Sequence, residues 1–501
     1  MKRFFHSPRK ASPVFAAVLV TVVLLCSKAG AAGVSASSAG AHGEWESTWL
    51  GPLYRHDTTW SYSPSLGWIQ MSGTDDSLWI FDKRHGWVWT GEAIFPNLYQ
   101  PFFGEWWQLG DGDFGERHFY NYWTASWIAE AEGNEAWLEA RVGTALQYAR
   151  RQGVAWLNQV PADQFPDETL SSGAWEPRPI TVWVSGFYPA IFWRLYEFTG
   201  FPQFRTEAMR RTLMIETQRT RTNTHDLGFI VFLPTLLAMR HSDDPRHEET
   251  ILIAAQSLAS RYSATVGATR SWDWGVFRQG NRFTVIVDNM MNLELLIWAS
   301  QRHEQLAGYY EMAVTHADTT MREHFREDDS TWHVVVFDER DGSVELKRTW
   351  QGYADDSTWS RGQAWAIYGY ISMYRLTGEE RYLDQALRAL DYYVANLPPD
   401  GVPYYDFDAP LVNAPARDSS AAAIVASALL ELEGLVENGE IYREMAVDML
   451  NMLASPQYLA LGHPEQSILR RGSHSHSRQD RGLIYGDYYF LEAIARWMGE
   501  D

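Results

Sequence analysis

From about Asn134 to the C terminus, the chain is a succession of segments with helical periodicity. In each segment apolar residues recur at i, i+3 and i+4, which is the spacing of one face of an α-helix. Twelve helices are predicted in this way, at Ala136–Arg151, Thr181–Thr199, Gln203–Arg219, Leu227–Met239, His247–Ser263, Asn289–Gln305, Gly308–Phe325, Arg361–Leu376, Glu380–Ala395, Ser419–Leu435, Ile441–Leu453 and Asp487–Met498. The pattern therefore predicts a large helical domain, which we place at residues 133–501.

Two of the joints between predicted helices have the same chemistry. Thr199 and Thr377 each end one segment, Gly200 or Gly378 follows, and the next segment starts within a few residues. Glycine is the common residue after the last turn of a helix, because it tolerates a positive φ. A repeated helix hairpin predicts a closed double ring of helices, an (α/α) toroid, with an open solenoid as the alternative.

Residues 43–132 differ in composition from the rest of the chain. They hold close to half of the 24 tryptophans, and the sequences Leu66–Ile69, His85–Trp89 and Phe103–Trp107 recur at a near-constant interval. Short aromatic runs separated by Gly, Asp and Asn turns are typical of β-strands in hairpins. We predict a small Trp/Gly-rich β repeat module. Its aromatic side chains either form a glycan-binding or docking surface or make up the module's own core.

The first residues carry the pattern of an export signal. A positive start precedes an apolar run, Val14–Cys26, that is too short to span a bilayer comfortably. Residues 1–32 are therefore predicted as a secretory signal peptide and residues 33–42 as a linker, with an uncleaved anchor as the alternative. The prediction places the mature protein in the periplasm or outside the cell. Because Cys26 is the single cysteine, the mature chain has no disulfide and no thiolate metal ligand.

The charge of the chain limits its partners. The formal net charge is −21, which argues against nucleic acid and, after signal cleavage, against an anionic membrane. A local arginine can still hold a small anionic substrate. The abundance of aromatic side chains suits stacking on sugar rings, although any large core also uses them.

One polar stretch, Thr349–Tyr370, opens a predicted helix. Ser357 or Thr358 can cap that helix, and Arg361 and Trp365 recur at helical spacing on one face. A cation, an aromatic plate and a nearby amide suit an anionic sugar ring, because the arginine can fork onto a carboxylate while the tryptophan stacks. The alternative is a buried helix with an ordinary ion pair.

Two aspartates stand where other predicted helices begin. Asp226 lies in the sequence Asn223–Phe229, and Asp288 lies in the sequence Val285–Asn292. An aspartate in this position is most often an N-cap, whose oxygen accepts a backbone N–H. In a toroid, however, the starts of the inner helices face a common opening where a ligand can bind. The sequence position of these two aspartates is therefore compatible with either a structural or a functional role.

Taken together, four sequence motifs resemble one enzyme family. They are His225–Phe229, Val287–Asn289, Gln351–Trp365 and Gly486–Ala493, and in order and spacing they are similar to glycoside hydrolase family 88, the unsaturated glucuronyl hydrolases. The resemblance covers roughly residues 140–501 and leaves out the Trp-rich module.

The resemblance implies an (α/α)6 barrel and an unusual reaction without cofactor or metal. Polysaccharide lyases leave a C4=C5 unsaturated uronic acid at the non-reducing end of their products. Enzymes of this family hydrate that vinyl ether, and the resulting hemiketal opens and expels the rest of the sugar chain. The expected partners are therefore unsaturated oligosaccharides from polysaccharide lyases.

The chemistry assigns roles to the two aspartates. Protonating C4 requires a carboxylic acid that is still protonated near working pH, and we predict that Asp288 is this acid and then the base. An apolar surround and a second carboxylate, Asp226, would raise its pKa, and Asp226 would stabilise the developing positive charge. Family positions also imply a substrate-binding set with His225 as a support for Asp226: Trp183, His225, His333, Thr349, Gln351, Arg361 and Trp365.

Two segments depart from the family pattern as we expect it. Lys347, Arg348 and Trp350 surround Thr349, where we expect a glycine before the threonine and a histidine after it. The segment Arg470–Arg478 is rich in Arg, Ser and His, and we predict that it binds a sulfate on the neighbouring sugar, with a solvated loop as the alternative. Its histidines at i, i+2 do not form a credible metal site.

Three competing functions stay open at this point. Unsaturated rhamnogalacturonyl hydrolases use the same barrel and chemistry, but the second carboxylate of Asp226 argues against them. A conventional inverting glycosidase would act on saturated glycans with an acid and a distant base. A non-catalytic glycan-binding protein would use the Trp-rich module beside an inactive barrel.

Overall fold

The structure is a computed structural model that describes residues 45–56, 60–82, 85–110, 112, 114, 116–130, 133–412 and 415–500. The predicted signal peptide and linker, including Cys26, lie outside the described residues. The described residues divide into two compact units: those within 45–102, 106–122 and 129–130 form one, and those within 103–105, 123–128 and 133–500 form the other. No helix within the described ranges is long and apolar enough to cross a membrane.

The Trp-rich region is a ten-stranded sheet in which each strand pairs with the next along the chain. The strands are β1 (Trp45–Thr48), β2 (Gly51–Arg55), β3 (Trp60–Ser63), β4 (Gly67–Thr74), β5 (Ser77–Asp82), β6 (Gly86–Thr90), β7 (Asn97–Gln100), β8 (Glu105–Leu109), β9 (His118–Asn121) and β10 (Ser126–Ala129). Antiparallel pairing such as that of β4 with β5 confirms the predicted hairpins. The repeated glycines Gly67, Gly86 and Gly104 have φ values of 72°, 71° and 76°, which explains why the repeat contains glycine.

The two faces of this sheet carry different side chains. Ile69, Ile80 and Val88 are buried on one face. On the other face Trp68 and Trp79 are 46% and 37% exposed. This alternation follows from the period of two along a strand. Trp68 and Trp79 therefore lie outside the module's core, and the prediction that the aromatic residues make up that core is wrong for these two, whereas Trp107 and Phe119 are buried.

Twelve α-helices are present within residues 133–500, one for each predicted segment. They are α1 (Gly133–Gln159), α2 (Phe187–Thr199), α3 (Pro202–Ile215), α4 (Leu233–Met239), α5 (Pro245–Ala259), α6 (Leu293–Ser300), α7 (Gly308–Glu323), α8 (Ser360–Thr377), α9 (Glu380–Ala395), α10 (Ser419–Glu433), α11 (Glu440–Leu453) and α12 (Ile484–Trp497). Gly200 and Gly378 end α2 and α8 with φ values of 65° and 71°, which confirms the predicted stops.

The even-numbered helices contact one another in series. Helix α2 packs on α4, α6 on α8, α8 on α10, α10 on α12, and α12 packs back on α2. The π-helical turn before α4 contacts α6, which supplies the remaining link. Odd-numbered helices cover this series, as α1 does for α2 and α9 for α8. The core is dominated by even-numbered helices, since α8 and α10 are buried along most of their length.

Three of the predicted helix starts are different in the structure. A π-helical turn, Gly228–Phe232, precedes α4, and a 3-10 turn, Val287–Asn292, precedes α6. Asp226 and Asp288 are therefore not N-caps of α-helices. The prediction that Ser357 or Thr358 caps α8 is also wrong, because Trp359 is the cap residue and makes no side-chain bond.

The helical unit also contains short strands that periodicity did not predict. These are β11 (Gln164–Thr169), β12 (Trp175–Pro179), β13 (Tyr262–Ser263), β14 (Ala268–Thr269), β15 (Arg282–Ile286), β16 (Val334–Asp338) and β17 (Val344–Arg348). Strands β15, β16 and β17 form one antiparallel sheet in that order. The prediction of an all-helical domain therefore needs this correction, and the three-stranded sheet positions the candidate site.

Candidate active site

The second unit contains a pocket of about 490 Å³ that brings together most of the predicted site residues. A volume of this order is ordinary for a small-ligand site. Its lining combines two carboxylates, a tryptophan-rich wall and a polar loop: Trp183, His225, Asp226, Trp272, Trp274, Ile286, Asp288, Trp350, Gln351, His474, Ser475, Ser477 and Arg478.

The three-stranded sheet delivers three predicted residues to this pocket. Ile286 pairs with Val334, and the next pair continues the ladder, because the Val287 N–H donates to the His333 carbonyl at 3.0 Å. Asp288 therefore follows β15 at the end of the sheet at which His333 precedes β16. Strand β17 ends at the same edge, since Val334 also pairs with Arg348, and Gln351 follows three residues later.

Asp288 is buried at the start of the 3-10 turn and is only 8% exposed. The pKa of its carboxyl is raised to about 7, mainly by burial and least by the charge of Asp226, while a backbone hydrogen bond and Arg361 lower it. The predicted apolar surround is thus the main cause, and the second carboxylate is the smallest. The Oδ2 atom has no hydrogen-bond partner among the described residues. The carboxyl can hold a proton near neutral pH.

His333 lies beside this acid. Its Nε2 atom is 3.6 Å from Oδ2 of Asp288. The backbone N–H groups of Trp350 and Gln351 approach its Nδ1 atom at 3.3 and 3.4 Å, so Nδ1 is the acceptor and the ring proton belongs on Nε2. Burial holds the pKa of the His333 ring well below its usual range, which keeps the ring neutral. His333 therefore presents an N–H to the Asp288 carboxyl.

Asp226 occupies another part of the pocket lining. Its Oδ2 atom accepts from the Thr224 hydroxyl at 2.7 Å, and its Oδ1 atom lies 3.2 Å from Nε2 of His225. Nδ1 of His225 is 3.1 Å from the Ser271 carbonyl, which fixes the ring orientation. The following Gly228 allows a close approach of Asn292, because an added Cβ would lie 2.6 Å from its Oδ1 atom. The ring of His225 thus lies against the Asp226 carboxyl, and its support of that residue stays a prediction.

Tryptophans form one wall of the pocket. Trp272 and Trp274 contact each other with ring centroids 5.2 Å apart, and Trp350 packs on Trp274 at 5.8 Å. Trp274 and Trp350 are 48% and 43% exposed. Trp183 lines the pocket as predicted and is supported by Tyr485 at 5.1 Å. Partly exposed aromatic faces of this kind suit sugar rings.

The predicted polar segment supplies another wall, and Gln351 ties it to the site. The Gln351 side chain donates to the His474 carbonyl at 3.0 Å, and its own carbonyl accepts from the His476 N–H at 2.8 Å. Arg478 lies 3.4 Å from Glu168 on β11 and is 43% exposed. Of the cations in Arg470–Arg478, only Arg478 lines the pocket.

Besides His333, which is 1% exposed and absent from the lining, three predicted substrate contacts lie behind the pocket lining. Arg361 is 1% exposed, its guanidinium donates to Asp418 at 2.5 Å, and it also donates to the His474 carbonyl at 2.6 Å. Trp365 is fully buried against Phe229 at 5.3 Å. The predicted open rim of arginine and tryptophan is therefore not what the structure contains, because both side chains face neighbouring helices and loops.

Thr349 is buried in the same way. Its hydroxyl donates to the Ser357 carbonyl at 2.7 Å, and the residue is 3% exposed. This bond closes the turn between β17 and α8. The predicted contact of Thr349 with a ligand is thus replaced by a role in holding the segment that carries Gln351.

Sequence reasoning missed Trp272 and Trp274, which line the pocket. Trp350 was recognised only as a departure from the family pattern. A signal for the first two was present, since two tryptophans flank one aspartate just before Gly275 in an otherwise helical region. Loops have no hydrophobic period, so periodicity could not identify them.

The arrangement suits acid–base chemistry on a sugar. It offers one carboxyl that can donate a proton near neutral pH, a second carboxylate, neutral imidazoles and aromatic faces. Within the described residues, no three His, Cys, Asp or Glu side chains are grouped as metal ligands.

Comparison with known proteins gives a consistent result. No protein-family model matches the chain. An unsaturated glucuronyl hydrolase of Formosa agariphila is 39% identical over 348 residues, which cover 67% of this chain and 85% of that protein. An unsaturated chondroitin disaccharide hydrolase of Streptococcus pneumoniae is 31% identical over 366 residues, which cover 71% of this chain and 91% of that protein.

Solved structures agree. The crystal structure of an unsaturated glucuronyl hydrolase specific for heparin is similar with a TM-score of 0.68 and 35% sequence identity. The match covers 72% of this chain and 97% of the other chain.

Proposed function

This chain belongs to the unsaturated glucuronyl hydrolases, and on that premise we propose a reaction in which Asp288 is the proton donor. The chain is a glycoside hydrolase that removes the 4,5-unsaturated uronic acid from the non-reducing end of lyase-generated oligosaccharides. The other predicted functions, a rhamnogalacturonyl hydrolase and a non-catalytic glycan-binding protein, are not favoured by these relatives.

One observation carries the proposed mechanism. Asp288 is a buried pocket carboxyl whose pKa burial raises to about 7. A vinyl ether is protonated at carbon, which requires a carboxylic acid rather than a carboxylate. The environment of Asp288 supplies that acid near neutral pH.

The first step transfers the Asp288 proton to C4. The C4=C5 electron pair forms the new C–H bond, and positive charge develops on C5 and the ring oxygen. Asp226 lies in the same pocket and stabilises this charge as a carboxylate. His333 lies beside the acid, with its Nε2 atom 3.6 Å from the carboxyl.

Water completes the reaction. The Asp288 carboxylate left by the first step takes a proton from water as the oxygen bonds to C5. The product is a hemiketal, which opens to a ketone and releases the remaining sugar chain from C1. Gln351 and Trp183 line the same pocket as Asp288, which supports a role of Gln351 in holding this water or the uronate and of Trp183 in flanking the ring.

Arg361, Trp365 and Thr349 act through other residues in this proposal. Arg361 holds the His474 carbonyl, and Trp365 supports Phe229 below Trp183. Thr349 closes the turn that carries Gln351. Their substitution would therefore change the shape of the pocket rather than remove a direct contact.

Isotope labelling tests where the proton and the water go. In D₂O, an unsaturated chondroitin disaccharide should give a product with deuterium at C4, and in H₂¹⁸O the label should enter at C5. The first is read by NMR and the second by mass spectrometry before the ketone exchanges its oxygen. Cleavage with ¹⁸O at C1 and no deuterium at C4 would contradict the mechanism and favour a conventional glycosidase.

We further propose that the polar wall selects sulfated substrates. Ser475, Ser477 and Arg478 line the pocket together, and hydroxyl and guanidinium donors suit a sulfate on the neighbouring sugar. Arg478→Ala should raise KM for a sulfated unsaturated disaccharide by roughly tenfold and leave the unsulfated one unchanged. The matched control is Arg470→Ala, which removes a cation of the same segment that does not line the pocket. Equal changes on both substrates would contradict sulfate recognition.

Three further predictions, on the fold, on export and on the N-terminal module, complete the proposal. The series of contacts that returns from α12 to α2 supports an (α/α)6 barrel. The sequence of residues 1–32 supports export to the periplasm or the outside. The exposed Trp45, Trp68 and Trp79 support a glycan-docking role for the N-terminal module, which a binding assay of a triple alanine variant on insoluble polysaccharide would test.

A further inference from the structure

A second cavity, of about 580 Å³, lies apart from the catalytic carboxyls in the helical unit. Six charged side chains line it: Arg261, Arg270, Arg278, Arg282, Asp273 and Glu339. Four cations therefore face two anions in a chain whose formal net charge is −21. The local excess of positive charge favours an anion there in spite of the net charge.

The two acids of the cavity already have cationic partners. Arg261 is 2.8 Å from Asp273, and Arg270 is 2.5 Å from Glu339. Arg261 also donates to backbone carbonyls, which fixes its position in the wall. These pairs neutralise two of the four guanidinium charges and build a fixed frame.

Of the remaining two arginines, one is also paired with an acid. Arg282 contacts Glu345, which is not part of the cavity lining, through Nε at 3.0 Å, and it donates to the Val276 carbonyl at 2.9 Å. Arg278 is exposed and makes no hydrogen bond or ion pair with the described part of the chain. An unpaired guanidinium beside a fixed cationic frame is a suitable receptor for a carboxylate or a sulfate ester, which it can bind with two parallel hydrogen bonds.

The rest of the lining suits a sugar rather than a bare ion. Thr222 and Ser260 contribute hydroxyl-bearing residues, and Tyr262 contributes an aromatic one. The carboxylate oxygens of the two acids can accept from sugar hydroxyls, while the guanidiniums bind the anionic substituent. The volume is in the range of small-ligand pockets.

The cavity and the active pocket share one segment of chain. Arg270 and Asp273 line the cavity, whereas Trp272 and Trp274 line the active pocket. A ligand in the cavity therefore contacts the segment that carries the tryptophan wall of the catalytic site.

We propose that this cavity is a second saccharide-binding site, which recognises a sugar through its sulfate ester or its carboxylate. The site stands on Arg278 as the anion receptor and on the paired frame of Arg261, Arg270, Arg282, Asp273 and Glu339. It is separate from the catalytic site and does not depend on the proposed reaction.

Calorimetric titration of the whole protein tests the proposal. The probes are galactose 6-sulfate, glucuronate and, as a neutral control, galactose. We expect binding of at least one anionic sugar, weakening as salt is added, and no binding of galactose. Binding of only one anionic sugar would identify the recognised group.

Two variants localise this binding. Arg278→Ala should weaken it roughly tenfold, because one charge-assisted pair of hydrogen bonds is lost. The matched control, Arg322→Ala, removes an exposed arginine of α7 outside the cavity and should bind as the wild type does. Turnover of an unsaturated disaccharide should be unchanged in both variants, which shows that they are folded. No binding by the wild type, or equal binding by wild type and Arg278→Ala, would overturn the proposal.

Discussion

The active pocket and the arginine cavity differ in the surroundings of their acids. In the cavity, the half-buried Asp273 and the exposed Glu339 face guanidinium groups at 2.8 and 2.5 Å. In the pocket, Asp288 is buried, the neutral His333 is its neighbour at 3.6 Å, and Arg361 acts on it only from a greater distance. Both sites use side chains of the segment 270–274. The difference between the acids therefore comes from their side-chain partners and not from the part of the chain that lines each site.

The comparison shows two environments of a carboxyl group. A guanidinium in contact with the carboxylate pairs with its charge, which suits binding. Without a cation in contact, a buried carboxyl keeps its proton instead, and the raised pKa of Asp288 is the result. The first arrangement can recognise an anion, and the second can donate a proton.

The largest expected effect comes from removing the proton of the pocket acid. Asp288→Asn should lower kcat on an unsaturated disaccharide by roughly 10³–10⁴-fold, because an amide cannot protonate C4. Asp163→Asn changes an exposed acid and serves as the control, with turnover at the wild-type level. The rate is measured from the loss of ultraviolet absorbance of the conjugated double bond.

The same substitution should stabilise the protein at high pH. The pKa of Asp288 is about 7 in the folded chain and about 3.9 in an unfolded one, so rising pH ionises the unfolded state first. Wild-type stability then falls between these two pH values, by about 4 kcal/mol at most. Asparagine does not titrate, so the free energy of unfolding of the variant should increase relative to that of the wild type from pH 4 to pH 8. Unfolding midpoints measure this, and a constant difference across the range would count against the buried acid.

A smaller loss is expected at the second carboxylate. Asp226→Asn should lower kcat roughly 10²-fold, because the charge that stabilises the cation at C5 is removed while the acid remains. The pH at which activity falls should hardly move, since Asp226 makes the smallest contribution to the pKa of Asp288. A large shift of that pH would show that the two carboxyls are strongly coupled.

The smallest expected effect concerns His333. His333→Gln should lower kcat roughly tenfold and leave KM nearly unchanged, because one oriented N–H beside the acid is lost. If KM rises and kcat does not change, His333 contacts the substrate instead, as the family positions imply. Steady-state kinetics on the same disaccharide separates the two roles.

Much of the fold could be predicted from the sequence, because the hydrophobic periodicity of a long amphipathic segment identifies it as a helix. All twelve helices were found, and the two Thr-Gly joints ended helices as expected. The sheet of β15, β16 and β17 was not predicted, since a strand such as Val334–Asp338 is a short apolar run without helical or alternating periodicity. Its pairing joins residues about 50 positions apart.

The candidate site was predictable in part for a similar reason. Asp226, Asp288, Trp183, His225 and Gln351 line the pocket as the motifs suggested. Arg361 does not, because its position depends on Asp418, 57 residues away, which binds its guanidinium. Spacing along one helix could not reveal that partner, nor the tryptophans contributed by a loop.

The pH dependence of kcat/KM for the wild type tests the central claim most directly. With an unsaturated chondroitin disaccharide and absorbance as the readout, the rate should fall as pH rises through about 7, the pKa of Asp288. Asp226→Asn should keep that descending limb at nearly the same pH. A rate that stays constant to pH 9, or that falls already below pH 5, would show that Asp288 is not the proton donor.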